Sequence, residues 1–270
     1  MRWTGPVRVG AIVAVVVVFS LPLVFLFLGS LRPPGLAPPD GFEFIPPYMR
    51  WENYPNVSVL IPLADYLRNS MIVVALTVPI TVLVASWAGF VIVTGSPRLK
   101  RFLLIATLIA MMVPLTALWV PRFVLFQRLG LTDTLMPLIL PALMGTSPFF
   151  VLVFALVYSR IPRELFEAAD SEGLTPFRQW RLIAWPLGRA AVFAVAVLAF
   201  AAHWSSFIEP VLYLADGDSF TLPLGLRALF VMEPTMHSIL LAAAVIACAP
   251  VIIVFVVAQR AIFGRVLELE

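Results

Sequence analysis

Charged residues and cysteine are both scarce in this sequence of 270 residues. Asp, Glu, Lys and Arg together make up 12% of the chain, while hydrophobic residues make up 61%. The charged share is about half that of a soluble domain, so an ordinary water-soluble fold is excluded and the surrounding medium is lipid. The single cysteine, Cys248, lies in an apolar run, which excludes a disulfide framework, a CxxC motif and a thiolate metal site.

Lysine occurs once, as Lys100 in the run Leu99-Lys100-Arg101. A P-loop requires Gly-Lys followed by Ser or Thr, so this chain has no ATPase motif. We predict no cofactor and no metal in it, and any ATP and Mg²⁺ belong to a partner. The basic residues are scattered between apolar runs rather than gathered with aromatic residues, which argues against nucleic-acid binding.

Charged residues are missing from the long apolar runs except at their ends, where Arg189 and Arg260 lie, and the one histidine in them is His203 beside Trp204. Ion-coupled carriers need such groups at membrane depth. His203 has two open interpretations: a histidine satisfied by a neighbouring carbonyl or lipid headgroup, or a coupling site. No HExxH or paired Asp/His occurs in an apolar run, and we predict no catalytic residue. Four acids fall in one loop without a nearby base: Glu209, Asp216, Asp218 and Glu233.

Six apolar windows are long enough to cross a bilayer, which takes roughly 20 residues of helix. They cover residues 9–31, 70–94, 102–121, 135–159, 188–208 and 238–260. We therefore predict an all-α integral membrane protein with six transmembrane helices. The first window follows Arg2 and Arg8 as a signal peptide would, but it is longer and lacks a clear cleavage site. We interpret it as a retained anchor.

The distribution of basic residues predicts the orientation, because cytoplasmic loops carry the excess of Arg and Lys. With the N-terminus inside, twelve of the 18 basic residues are cytoplasmic. The other six fall outside: Arg32, Arg50, Arg68, Arg122, Arg128 and Arg227. Both termini are therefore predicted to be cytoplasmic.

Two exterior segments stand out. The loop 32–68 contains prolines at 33, 34, 38, 39, 46, 47, 55 and 62, which prevent one continuous helix, and we expect an ordered cap or a partner contact. The segment 114–137 contains Pro114, Pro121 and Gly130. It predicts either a short amphipathic helix at the outer interface or a ragged helix end.

The cytoplasmic loop 160–187 begins with the signals of a short helix. Pro162 suits a first turn, and Glu164 and Glu167 complement the positive helix start. Gly173 can adopt the left-handed conformation that ends a helix.

A second short helix follows in the same loop. Thr175 is a candidate cap, and Pro176 suits the first helical position. Phe177, Trp180 and Ile183 then recur on one face as an apolar stripe. From the residues alone, the helix pair either lies on the lipid surface or docks a protein.

The same segment resembles the EAA loop of binding-protein-dependent ABC importer permeases. The residues that match the family's spacing are Glu167, Ala168, Ala169, Glu172, Gly173, Ile183 and Pro186. The resemblance implies that this loop is a coupling helix seated in a groove of an ATPase subunit. Leu174 and Trp185 depart from the family pattern, which usually has a small residue and leucine there.

The resemblance extends over nearly the whole chain and is strongest to the carbohydrate branch, the maltose-type permeases. The segments that carry it are Asn69-Ser70, 121–131, 221–226 and Trp204 with Phe207 and Pro210. Ser205 and Ser206 replace the family's usual Asn and acidic residue.

The resemblance implies a type I ABC importer permease fold: one permease domain over 1–270, with its core at about 70–260. It implies a bacterial or archaeal plasma membrane protein that works with a second homologous permease, two ATPase subunits and an extracytoplasmic solute-binding protein. The expected cargo is a sugar or oligosaccharide. A phosphorylated polyol, a polyamine or another small solute is an alternative, and an ion-coupled carrier is a remoter one.

A pathway for a neutral polyhydroxylated solute needs hydroxyl, amide and aromatic groups. Candidates for its lining are Asn69, Ser70, Thr116, Trp119, Thr146, Ser147, Trp204 and Ser205.

Overall fold

A computed structural model describes residues 5–35, 45–46, 48–144 and 147–263. All regular structure in these ranges is helical. The α-helices are α1 (Gly5–Ser30), α2 (Asn53–Leu60), α3 (Leu63–Thr94), α4 (Pro97–Met112), α5 (Leu115–Arg128), α6 (Met136–Ile139), α7 (Pro148–Tyr158), α8 (Arg163–Ser171), α9 (Pro176–Gln179), α10 (Trp185–Leu187), α11 (Arg189–Trp204), α12 (Ile208–Tyr213), α13 (Leu222–Met232) and α14 (His237–Phe263). Short 3₁₀ helices cover Leu140–Met144 and Gly217–Ser219, and a π-helical turn covers Trp180–Ala184.

Four helical stretches have the length and composition of membrane spans: Val9–Ser30, Leu63–Thr94, Met136–Tyr158 and His237–Gln259. Two further pairs of helices have the length and composition of a span only when both members are counted together: α4 with α5, and Pro176–Leu187 with α11. If each of these bent pairs is one span, the number of spans is six. This agrees with the six predicted spans. The second span begins earlier than predicted, at Leu63.

The third predicted span, 102–121, is bent rather than straight, because it falls in the pair α4 and α5. α4 ends at Met112, and Val113 is extended, with ψ 116°. The pyrrolidine ring of Pro114 disfavours a helical conformation in the residue before it, so the chain leaves the helix there. α5 then starts in a new direction, at 91° to α4.

The short helix predicted within 114–137 is therefore present, and the ragged helix end is wrong. α5 ends in a left-handed turn: Gly130 has φ 67°, and the Leu131 N–H donates to the Phe126 carbonyl at 2.9 Å. This turn brings the chain back toward α6.

Proline also breaks up the described part of the 32–68 loop, as expected. α2 is short, and its Asn53 is only 1% exposed. The Asn53 amide donates to the carbonyls of Ser30 (2.7 Å) and Arg32 (2.8 Å). These carbonyls lie at the end of α1, where no helical N–H reaches them. Asn53 thus caps α1.

The chain forms two compact units, Met1–Asp65 with Leu222–Pro250 and Tyr66–Thr221 with Val251–Glu270. The core of the second unit gathers apolar side chains of α3, α7, α8 and α11 together with Trp180 and Ala184. α3 and α7 approach closely at Gly89, where a Cβ would lie 2.6 Å from the Phe154 Cβ. Small residues allow such approaches between membrane helices. The single domain over 1–270 stays a prediction.

Candidate functional site

The segment 160–187 folds as a helix, a tight turn and a second helix. α8 follows Pro162, which lies just before the helix rather than in its first turn. Gly173 has φ 71°, and its N–H donates to the Asp170 carbonyl at 3.0 Å. The predicted left-handed helix end at Gly173 is confirmed.

The second helix runs from Pro176 to Leu187 and widens into the π-helical turn at Trp180–Ala184. Thr175 occupies the N-cap position, but its side chain makes no capping hydrogen bond. Within the turn, the Trp185 N–H donates to the Trp180 carbonyl, one residue further back than in an α-helix. Pro186 has no N–H and cannot continue the α-helical pattern, and π-turns accommodate such breaks.

A buried glutamine fastens the two helices together. Gln179 is 4% exposed, and its Nε2 donates to Asp170 Oδ1 (2.6 Å) and to the Leu174 carbonyl (3.1 Å). One contact reaches α8 and the other reaches the turn, so the angle between the helices is set by side-chain bonding as well as by Gly173. The sequence analysis did not identify this pair, because a carboxylate and an amide nine residues apart carry no recognisable motif.

Trp180 attaches the second helix to α3 and α7. Its indole Nε1 donates to Ser86 Oγ at 2.9 Å, and Ser86 Oγ lies 2.6 Å from Tyr158 Oη. Ser86 and Tyr158 are fully buried. Trp87 packs edge-on against the Trp180 ring, with 5.5 Å between ring centroids.

The apolar stripe contacts the rest of the protein in part. Phe177 lies 5.9 Å from the Trp87 ring, Ile183 packs against the core, and Trp180 belongs to that core. Phe177 is still 55% exposed, so the two interpretations of the segment, protein docking and contact with the lipid surface, stay predictions.

The opposite face of the segment is exposed. Glu167, Ala168, Glu172, Gly173 and Pro186 are exposed, whereas Ala169 is buried and Ile183 is half-buried. Glu167 forms an ion pair with Arg163, with 3.2 Å between Glu167 Oε1 and Arg163 Nε. This exposed contact contributes little to stability. We call residues 160–187 the coupling segment.

Four pathway candidates lie around two adjoining cavities at the other end of α3. A cavity of about 350 Å³ is lined in part by Trp119 and Ser147. A second, of about 10 Å³, is lined in part by Ser70 and Trp204. Both share walls that include His203 and Glu209. Ser70 and Ser86 lie at opposite ends of α3, about 24 Å apart along the helix.

The other candidates lie elsewhere. Thr116 is exposed, and Ser205 is exposed with its hydroxyl donating to the Ala201 carbonyl at 2.7 Å. The buried Asn69 amide donates to the carbonyls of Asp218 (2.9 Å) and Phe220 (3.0 Å). Thr146 lies outside the described residues.

Two charged residues absent from the candidate list line the larger cavity, Arg122 of α5 and Glu209 of α12. Glu209 is one of the four acids that fall in one loop of the sequence; its side chain is 31% exposed and pairs with Arg122. Burial raises the pKa of the nearby Tyr213 phenol; the Glu209 carboxylate adds to this rise, and Arg122 opposes it. The sequence did not indicate that Arg122 and Glu209 pair, because the two residues lie far apart along the chain.

Residues 81–268 match the family described as the binding-protein-dependent transport system inner membrane component. The chain belongs to this family. It is thus a multi-pass membrane permease of ABC importers, a transport component rather than the ATPase, in a family that works with ATPase and binding-protein partners.

Relatives with this function span nearly the whole permease. The arabinooligosaccharide transport permease AraQ of Halalkalibacterium halodurans is 30% identical over 93% of this chain and 89% of its own length. The diacetylchitobiose uptake permease NgcG of Streptomyces coelicolor is 27% identical over 93% and 83%. A chain of a bacterial ABC transporter that imports the acidic polysaccharide alginate has the same fold, with a TM-score of 0.74, 19% identity and coverage of 96% and 99%. The predicted type I permease fold is confirmed.

Replacing Trp180 with phenylalanine should destabilise the permease, because an aromatic ring is kept but the N–H donor to Ser86 and part of the indole packing are lost. Loss of one buried hydrogen bond costs about 1–3 kcal/mol. Thermal unfolding of the purified chain in detergent should show a lower Tm for Trp180→Phe.

Trp185→Phe is the matched control. The Trp185 ring contacts Trp180 at 5.2 Å, but no indole hydrogen bond is present among the described residues. An equal Tm loss in both variants would contradict the role of the Trp180 N–H.

Proposed function

We propose that this chain is one of two permease subunits of an ATP-driven importer, and that the coupling segment is the surface on which an ATPase subunit docks. The observation that carries this is the two-sidedness of the segment. One face is bonded into α3 and α7 through Trp180, and the other presents exposed Glu167, Ala168 and Glu172. The exposed face is available to a partner.

The importer has further subunits in this proposal: a second homologous permease, two ATPases that hold ATP and Mg²⁺, and an extracytoplasmic solute-binding protein. The chain lies in the plasma membrane of a bacterium or archaeon, surrounded by lipid, with both termini in the cytoplasm. The excess of basic residues on the side of the coupling segment supports this orientation. ATP and Mg²⁺ are bound by the ATPase subunits and not by this chain.

The cargo is a sugar or oligosaccharide delivered by the binding protein. Two relatives are named for arabinooligosaccharides and diacetylchitobiose, and the cavities beside Trp119 and Ser70 combine hydroxyl and aromatic groups, which suit neutral solutes. The proposed pathway groups are Asn69, Ser70, Thr116, Trp119, Thr146, Ser147, Trp204 and Ser205. Among them Asn69 acts through the 218–220 loop that it holds.

Movement of the ATPases reaches the membrane helices through the coupling segment. Closure of the ATPases displaces α8 and α9, which move together because Gln179 joins them to each other and to the turn. Trp180 passes the displacement to Ser86 of α3 and Tyr158 of α7. Packed helices move as rigid bodies, so the far ends of α3 and α7 tilt with them.

Gly173→Val should weaken attachment of the ATPase. A β-branched residue at φ 71° costs about 1–3 kcal/mol, and relief of that strain displaces α9 from α8. No atom lies within 4 Å of an added Cβ, so backbone strain alone is tested. The measurement is a pull-down of the ATPase by the purified variant, followed by hydrolysis with and without the loaded binding protein.

Gly173→Asn is the control, because asparagine tolerates the left-handed conformation. It should bind and stimulate the ATPase nearly as the wild type does. Wild-type behaviour of Gly173→Val in both assays would return the segment to a purely structural role.

The orientation has its own test in a Cys248→Ser background. Cysteines placed at the exposed Ser171 and Tyr48 should react from opposite sides of the membrane. An impermeant thiol reagent added outside intact cells should modify Tyr48→Cys and spare Ser171→Cys. External labelling of Ser171→Cys would reverse the proposed topology.

A further inference from the structure

The larger cavity holds a pair of opposite charges in a chain with few charges. Arg122 and Glu209 line it, with side chains 17% and 31% exposed. A poorly hydrated charge is costly unless hydrogen bonds satisfy it. Placing both signs at one cavity therefore needs a structural or functional reason.

The hydrogen-bonding capacity of the pair is largely unused. Arg122 Nη1 lies 3.6 Å from Glu209 Oε1, whereas a direct charge-assisted hydrogen bond is about 2.7–2.9 Å long. Ser206 Oγ reaches Glu209 Oε2 only at 3.4 Å. Guanidinium donors and carboxylate acceptors thus stand side by side at the cavity wall without a close partner among the described residues.

The smaller cavity presents a second unsatisfied polar group. Thr221 is 4% exposed, and its Oγ1 has no hydrogen-bond partner among the described residues. Thr221 and Glu209 line the same space of about 10 Å³, close to what one water molecule needs. Both features, at adjoining cavities, therefore leave room for polar atoms that the described residues do not supply.

We propose that the Arg122–Glu209 pair is a binding site for two neighbouring hydroxyl groups of a sugar, one accepting from the guanidinium and the other donating to the carboxylate. The site rests on the proposed sugar cargo. The Trp119 ring lines the same cavity and offers an apolar surface to the sugar's C–H face. A volume of about 350 Å³ suits a ligand of one or two sugar rings, at the low end of small-molecule sites.

The charge pattern selects the class of solute. A neutral polyol satisfies both groups at once, whereas an anionic solute would meet Arg122 but be repelled by Glu209. A cationic solute would be attracted by Glu209 but repelled by Arg122. The paired charges therefore favour uncharged sugars over phosphorylated or amino solutes.

The test uses the assembled importer in proteoliposomes. ATP-driven uptake is measured for maltose, trehalose, lactose, arabinobiose and N,N′-diacetylchitobiose, and the sugar carried by the wild type is then followed in Arg122→Met and Glu209→Gln. Each variant should raise the KM for uptake about tenfold or more, as loss of a hydrogen bond to a charged group does. Arg128→Met, an exposed position at the end of α5, should leave the KM unchanged.

A charge swap separates binding from a structural role. Each single variant breaks the ion pair and should lower the Tm. Arg122→Glu combined with Glu209→Arg restores an ion pair, so the Tm of the double variant should return toward the wild-type value. Uptake should stay impaired, because donor and acceptor have exchanged places around the sugar.

Three outcomes would overturn the site. Unchanged KM values in the single variants, or uptake restored by the swap, would reject it and leave the sugar-importer function standing. Absence of ATP-driven uptake of every tested sugar by the wild type would contradict the sugar cargo and the site together.

Discussion

The hydrogen bond from the Trp180 indole to the Ser86 hydroxyl is the contact on which the coupling segment depends. It starts at the buried Trp180 ring of the segment and ends inside α3, where Ser86 also meets the Tyr158 hydroxyl of α7. Three separate elements share one buried polar cluster, which is strong because the surroundings exclude competing water. Without it, the second helix would be held to the membrane helices mainly by ring packing, which resists sliding far less well.

Other buried polar side chains have a similar purpose. Asn53 caps α1, Asn69 holds the 218–220 loop against α3, and Gln179 fixes α8 against the turn. Each amide satisfies backbone carbonyls at helix ends or in loops. The chain thus uses amides to order its helix ends and loops, while the charged pair Arg122–Glu209 lines a cavity and is left loosely bonded.

Local features were predictable from the sequence, and distant pairings were not. Apolar length indicated the spans, and Gly173 and Pro176 marked the helix boundaries of the coupling segment, because these signals depend on a few neighbouring residues. Hydropathy alone did not indicate the bend before Pro114, because it does not register direction, whereas the prolines of 114–137 were consistent with a separate short helix. The contacts of Trp180 with Ser86 and of Arg122 with Glu209 depend on how helices pack, and neither pair has a sequence spacing that indicates contact.

In the proposed mechanism, force passes from the ATPases to α3 and α7 through Trp180. The most direct measurement is the number of sugar molecules imported per ATP hydrolysed by the complete importer in proteoliposomes, compared between wild type, Trp180→Phe and Trp185→Phe. The account predicts that Trp180→Phe still hydrolyses ATP in response to the loaded binding protein but imports several-fold less sugar per ATP, while Trp185→Phe keeps the wild-type ratio. An unchanged ratio in Trp180→Phe would contradict it.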